Sequence, residues 1–387
     1  MKTSQTLYLT ILLIFSVSSS GAKDIIGYFP SWRFMERDTL VNQATIPYEK
    51  LTIINYAFFY PTPEGELLGL HPEADEFLLN DLRNKDTGDL LPNTSLIDYA
   101  EGHGVKVMVS IGGWEDSGNF PEVASSKEKR AKFASSCINL IRKYGFHGID
   151  IDWEYPGLEA HNGSPADYDN FTLLLSILRD SLDVHSDETD LYYPLSFAAP
   201  ASPTVAKGFD VVAISEILDF INIMTYDFHG VWDSKSNHNS PLFASSGGSV
   251  DQAFRLYHED YGVPAEKLNI GAPFYGRTFG QCRKIYGKHS GVSTFFHPEG
   301  FADYQMLENK GVGFRRKWDE KAKVPYFVNR KKKILVSYDD EKSVGYKADY
   351  ILDNNARGVI IWTIVGDYLE NGDSPLLHVL HEKLGQK

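Results

Sequence analysis

Asp150, Asp152 and Glu154 alternate with Ile149, Ile151 and Trp153 in the segment Gly148-Ile149-Asp150-Ile151-Asp152-Trp153-Glu154-Tyr155-Pro156. On a strand, successive side chains point to opposite faces, so the three acids share one face and the three apolar residues the other. Carboxylates crowded on a buried face repel one another and lose hydration, so at least one must be protonated or held by hydrogen bonds. Packing alone does not justify that cost. General acid catalysis does, because it needs a carboxyl that keeps its proton near the working pH. The competing readings are a solvent-facing strand edge and a divalent-metal site. Oxygen-rich metal sites usually draw ligands from a loop, and no EF-hand-like spacing is present. No metal and no cofactor are therefore expected.

The elements that must position this strand are legible as short β-rich apolar runs: Asp24 to Phe29, Leu51 to Phe59, Val105 to Ile111, Gly148 to Trp153, Tyr192 to Ala199, Phe220 to Thr225, Leu268 to Phe274 and Gly358 to Ile364. Helical patterns separate them, most clearly Lys127 to Tyr144, where Phe133, Cys137, Leu140, Ile141 and Tyr144 recur on one face. Eight such units predict an α/β fold, a closed (β/α)₈ TIM barrel rather than an open doubly wound sheet. Barrel enzymes carry their chemistry at the C-terminal ends of the strands, which makes Glu154 the outermost acid. Asp152 and Asp150 lie one and two pleats deeper, and their shared charge is expected to keep Glu154 protonated.

The stretch between the seventh and eighth strands is too long for one helix. Pro325 to Val328 and Lys333 to Tyr338 read as strands around the basic turn Asn329-Arg330-Lys331-Lys332. A small α+β insertion is expected over 282–344, leaving 23–281 and 345–387 for the barrel. Residues 1–22 read as a secretory signal peptide: Lys2, an apolar run from Leu7 to about Val17, then small residues up to Ala22. No later apolar stretch is long enough to span a bilayer. A secreted, extracellular product is expected, periplasmic or at the cell surface if the source is bacterial. It should be a monomer with no membrane contact once the leader is removed.

A net charge of −14 argues against a nucleic-acid partner, since such binding depends on Lys and Arg neutralising phosphates. A neutral or cationic ligand fits better. With only Cys137 and Cys282 present, no disulfide framework holds the fold, and two buried thiols are expected rather than one bridge. Aromatic residues make up 13% of the chain, and most of the six tryptophans fall beside Gly, Pro or Asp. Flat rings in such segments suit a cleft that holds sugars or bases, with ordinary core packing as the alternative for any one of them.

The acidic segment resembles the signature of glycoside hydrolase family 18, the chitinase family, Asp-x-x-Asp-x-Asp-x-Glu on the fourth barrel strand. Glu154 matches the proton donor, and Asp152 and Asp150 the inner acids. His147 stands where the family usually has Asp. That outer Asp is chiefly structural, so the change is expected to affect local hydrogen bonding or the pH profile more than to abolish activity. Further matches run in order along the chain: Gly27-Tyr28-Phe29-Pro30-Ser31-Trp32, Asn55-Tyr56-Ala57-Phe58, Ser110-Ile111-Gly112-Gly113-Trp114, Met224-Thr225-Tyr226-Asp227, Pro273-Phe274-Tyr275-Gly276-Arg277 and Trp362. Val324-Pro325-Tyr326 with Ser337-Tyr338-Asp339-Asp340 resembles the α+β insertion of the deep-cleft chitinase subfamily.

The resemblance implies hydrolysis of β-1,4 linkages in chitin or chito-oligosaccharides, with endo action, by a retaining mechanism in which the substrate's own acetamide is the nucleophile. It implies that Asp152 orients the acetamide N–H, that Tyr226 donates to the acetamide oxygen, and that Glu154 protonates the leaving oxygen. Trp362 would floor the cleavage subsite, with Tyr28, Phe58, Met224 and Tyr275 around the sugar. Asp227 and Arg277 would make polar contacts, and Trp32, Trp114 and Trp232 would stack on more distant sugars. Two alternatives stand beside this: an inactive chitinase-like lectin, and a family 18 hydrolase of other N-acetylglucosamine-containing glycans.

Overall fold

The computed structural model describes residues 21–82, 87–88, 91–244, 247–308 and 313–385. The expected leader lies outside these except for its last two residues. Eight parallel strands close on themselves: Asp24–Pro30, Ile53–Pro61, Lys106–Gly112, Gly148–Asp152, Leu195–Pro200, Phe220–Met224, Leu268–Pro273 and Gly358–Trp362. Each pairs with its sequence neighbours, and the first also pairs with the eighth through Asp24–Gly27 against Gly358–Ile361. A short strand, Leu67–Gly69, adds antiparallel to the second. The (β/α)₈ barrel expected from the strand rhythm is therefore observed. The fifth strand begins at Leu195 rather than Tyr192. The Tyr192 ring lies outside the sheet, 57% exposed, with its hydroxyl on Asp219.

The alternation in the fourth strand has the predicted consequence. Ile149, Ile151 and Trp153 face the helical layer, where the Trp153 indole stacks on Phe120 at 5.1 Å and meets the edge of Phe171 at 5.6 Å. The helix Lys127–Tyr144 has the bounds its periodicity suggested. Ser126 caps it by accepting from the Lys129 N–H, and Gly145 ends it in the left-handed region at φ 84°, a conformation a side chain would strain. Phe133, Cys137, Leu140 and Ile141 are its buried face. Cys137 and Cys282 are both buried and both free thiols.

Between the seventh and eighth barrel strands stands a second, antiparallel sheet in the order Phe301–Asp303, Tyr275–Gly280, Ile334–Ser337, Val324–Asn329, Arg315–Asp319. It takes in Tyr275–Gly280, ahead of the Cys282 at which the sequence reading began the insertion. The run from Leu268 to Gly280 looks like one strand, but Phe274 interrupts it and the chain passes from the barrel into the second sheet. This sheet is tied to the barrel by buried polar contacts. Lys347 Nζ donates to Asp339 Oδ2 at 2.8 Å and to Ser240 Oγ at 2.6 Å, and Arg33 pairs with Asp303. The second sheet thus forms one wall beside the C-terminal mouth of the barrel.

Candidate active site

Asp150 is fully buried inside the barrel, where four strands supply it with donors. Tyr28 Oη and Ser110 Oγ donate to Oδ2 at 2.7 and 2.8 Å; Ser196 Oγ and Asn222 Nδ2 donate to Oδ1 at 2.5 and 3.1 Å. Burial raises its carboxyl above the ordinary value, and these four hydrogen bonds oppose that rise. Asn269 Nδ2 in turn donates to Asn222 Oδ1 at 2.9 Å, which orients the amide.

One pleat higher, Asp152 has no such support. It is 3% exposed, and its Oδ1 has no hydrogen-bond partner in the protein. Burial first, then the charges of Glu154 and Asp150, push its carboxyl well above the usual carboxylate range. The Oδ1 without a partner can take up a donor brought by a ligand.

Glu154 lies just past the strand end. Its backbone N–H donates to Ser117 Oγ at 2.9 Å, and its carbonyl accepts from His161 Nδ1 at 2.6 Å. Burial raises the Glu154 carboxyl to about 7; Asp227 adds to the rise, and a hydrogen bond from Tyr155 opposes it. The sequence reading credited the rise to Asp152 and Asp150. In the structure desolvation is the first cause, Asp227 adds a raising charge, and the repulsion between Glu154 and Asp152 acts on both carboxyls. Tyr28 and Tyr226 are both shifted far upward by burial and by the acids around them, so both remain neutral hydroxyl donors.

Above the acids opens a cleft of about 1490 Å³. All the candidate catalytic and sugar-binding residues from the sequence line it except Asp150, which lies beneath, and Phe58. Phe58 is buried behind the wall instead, its ring 5.8 Å from Trp362 and 20° from parallel, and 6.1 Å from Trp32. It packs behind rings that line the cleft. Tyr28 supports Trp362 from another side at 5.6 Å. At the rim, Trp114 and Trp232 are 52% and 60% exposed, as a stacking surface must be. Arg277 joins several of these groups. Its Nε donates to Asp227 Oδ1 at 2.6 Å, and its guanidinium lies 5.4 Å from the ring centres of both Trp232 and Tyr275.

The sequence reading missed Ser110, Ser196 and Asn222 as partners of Asp150. A signal existed, because each is a polar residue at an inward position of an otherwise apolar strand. Ser117, Tyr155 and His161 carried no such signal, since they belong to loops whose path only the fold reveals. His147 sits at the opposite, N-terminal end of the fourth strand. Its Nδ1 accepts the Val107 N–H at 2.9 Å, and its Nε2 lies 3.1 Å from Glu101 Oε1. No metal-binding cluster of His, Cys, Asp or Glu is found among the described residues.

Chitinase A1 of Niallia circulans is 36% identical over 405 residues, covering 91% of this chain and 58% of that protein, so the chain spans a little over half of that relative. Endochitinase 1 of Metarhizium robertsii is 31% identical, covering 92% of this chain and 84% of that protein. Among solved structures, chitinase ChiA74 from Bacillus thuringiensis superposes with a TM-score of 0.83 at 33% identity, covering 95% of this chain and 71% of that one. The model of the glycosyl hydrolases family 18 matches residues 24–367, nearly all of the barrel and its insertion, and the chain belongs to that family.

Proposed function

We propose that the protein is a secreted, monomeric endochitinase that hydrolyses β-1,4 bonds between N-acetylglucosamine units with retention of configuration. The observation that carries this reading is the contrast between the two upper acids. Glu154 bears a carboxyl raised to about 7 in an aromatic cleft, and Asp152 beside it has a buried oxygen with no donor. A conventional retaining glycosidase places a second ionised carboxylate about 5 Å from the acid as nucleophile. Here the neighbouring carboxyl is buried with an oxygen that has no donor in the protein, which suits it to receive an amide N–H from the substrate.

In the first step the acetamide oxygen of the bound sugar attacks its own anomeric carbon while the glycosidic bond breaks. Glu154 passes its proton to the leaving oxygen. Asp152 accepts the acetamide N–H, and the Tyr226 hydroxyl donates to the acetamide oxygen, so the cyclic oxazolinium ion forms in place. In the second step water attacks the anomeric carbon and gives a proton to the Glu154 carboxylate, and the bond to the acetamide oxygen opens. Stacking on the exposed Trp114 and Trp232, each worth about 1 kcal/mol, would hold the flanking sugars of a linear chain.

The test is hydrolysis of chitin oligosaccharides by the wild type and by Glu154→Gln, with products followed by mass spectrometry. Cleavage by the wild type and a loss of at least about 10²-fold in the variant are expected, the usual contribution of a general acid. Binding without cleavage by the wild type would establish a lectin instead. Cleavage confined to other N-acetylglucosamine glycans would replace the substrate.

A further inference from the structure

We infer that His161 is a positioning residue that ties the main chain of Glu154 to the Trp114 platform. This rests on the reading of Glu154 as the proton donor. Regular pairing of the fourth strand ends at Asp152, so Glu154 stands on a segment without a sheet partner of its own. Two side chains replace that support. On one side Ser117, fully buried, accepts the Glu154 N–H through Oγ at 2.9 Å and donates to Gly113 O at 2.8 Å. On the other, a carbonyl only accepts, so the short contact at 2.6 Å fixes the proton of His161 on Nδ1, donated to Glu154 O.

The same imidazole has a second engagement. Its ring meets the Trp114 indole in an edge-on arrangement at 4.7 Å between centres, and Trp114 lies 6.5 Å from Tyr155 on its other neighbour. Trp114 is half exposed on the cleft, so a sugar seated on it rests on a ring that His161 braces from the protein side. His161 is itself on a short helical turn, Glu159–His161, which is anchored back to the third-strand loop by Asn162 Nδ2 donating to Gly118 O at 3.1 Å. One residue therefore carries two separable functions: its N–H places the acid, and its ring places a sugar platform.

Two variants separate them. His161→Phe keeps a ring against Trp114 and removes the donor; His161→Gln keeps an N–H donor and removes the ring. Steady-state kinetics on chitohexaose and on a fluorogenic aryl chitobioside, with melting temperatures for each protein, read out both functions. For His161→Phe we expect kcat to fall about 10- to 100-fold on both substrates with KM for the hexamer changed less than about twofold, the penalty of a displaced acid. For His161→Gln we expect kcat within about threefold of wild type and KM for the hexamer raised several-fold, the loss of one stacking support. Wild-type-like kinetics in both variants overturns the inference. So does an equal loss of kcat and KM performance in both with a lowered melting temperature, which is general loosening. A wild type that cleaves neither substrate overturns the chitinase reading as well, whereas either of the former results with an active wild type overturns the role of His161 alone.

Discussion

Gly271 leaves room for Tyr226. A Cβ at position 271 would stand 2.7 Å from the Tyr226 ring and 2.8 Å from the Thr225 N, closer than real Cβ contacts allow. The glycine on the seventh strand thus leaves the space that the phenol following the sixth strand occupies. Gly271→Ala is expected to reduce kcat at least about 10-fold by displacing the ring, with no reacting group removed. The comparison is with Tyr226→Phe: if the alanine variant keeps full activity, the Tyr226 hydroxyl has no exacting position.

The raised Glu154 carboxyl gives the pH profile a direction. The acid form is populated below about 7 and lost above it, so kcat/KM should fall on the alkaline side through that value. Asp227→Asn removes the raising charge, and the alkaline limb should move to lower pH. Stability follows the same linkage. The unfolded group ionises near its ordinary value of 4.5 while the folded one keeps its proton, so stability declines as pH rises from there to about 7. Glu154→Gln should therefore raise the melting temperature at pH 8 relative to wild type and do much less at pH 4. An unchanged alkaline limb in Asp227→Asn would contradict the assigned cause.

Trp362 and Phe58 should behave differently although they touch. Trp362→Ala removes a ring that lines the cleft and is expected to raise KM for chito-oligosaccharides at least about 5-fold, the value of one stack. Phe58→Ala empties a buried site and should cost about 3–5 kcal/mol of stability, with a smaller rise in KM through the loosened Trp362. Thermal melts beside Michaelis kinetics separate the two.

His147 accepts a backbone N–H at the end of the strand far from the cleft. An aspartate oxygen can accept the same bond, so His147→Asp is expected to retain kcat/KM and its pH dependence. His147→Ala leaves the Val107 N–H without its partner and should lose about 1–3 kcal/mol in denaturant unfolding. A large activity loss in the aspartate variant would show that the position reaches the site after all.

Much of this architecture is legible in the chain. The period-two alternation from Ile149 to Glu154 determines that Asp150, Asp152 and Glu154 share a face, because pleating leaves no other choice. The recurrence of β-rich runs between helical ones determines a closed barrel, and the helix Lys127–Tyr144 is written in its spacing and caps. Periodicity is a local property, and local properties survive in a linear string. What the three acids do to one another is not local. Asp150 draws donors from Tyr28, Ser110, Ser196 and Asn222, which are up to 122 positions away in sequence, while Asp152 goes without on Oδ1. The proton affinity of Glu154 depends on its burial and on Asp227 as well as on its strand neighbours. Phe58 sits behind Trp362 and outside the cleft lining for the same reason: a ring's place depends on which other rings the fold packs against it. Solvation and charge at a site are sums over everything the fold brings near, and only the closed barrel determines what that is.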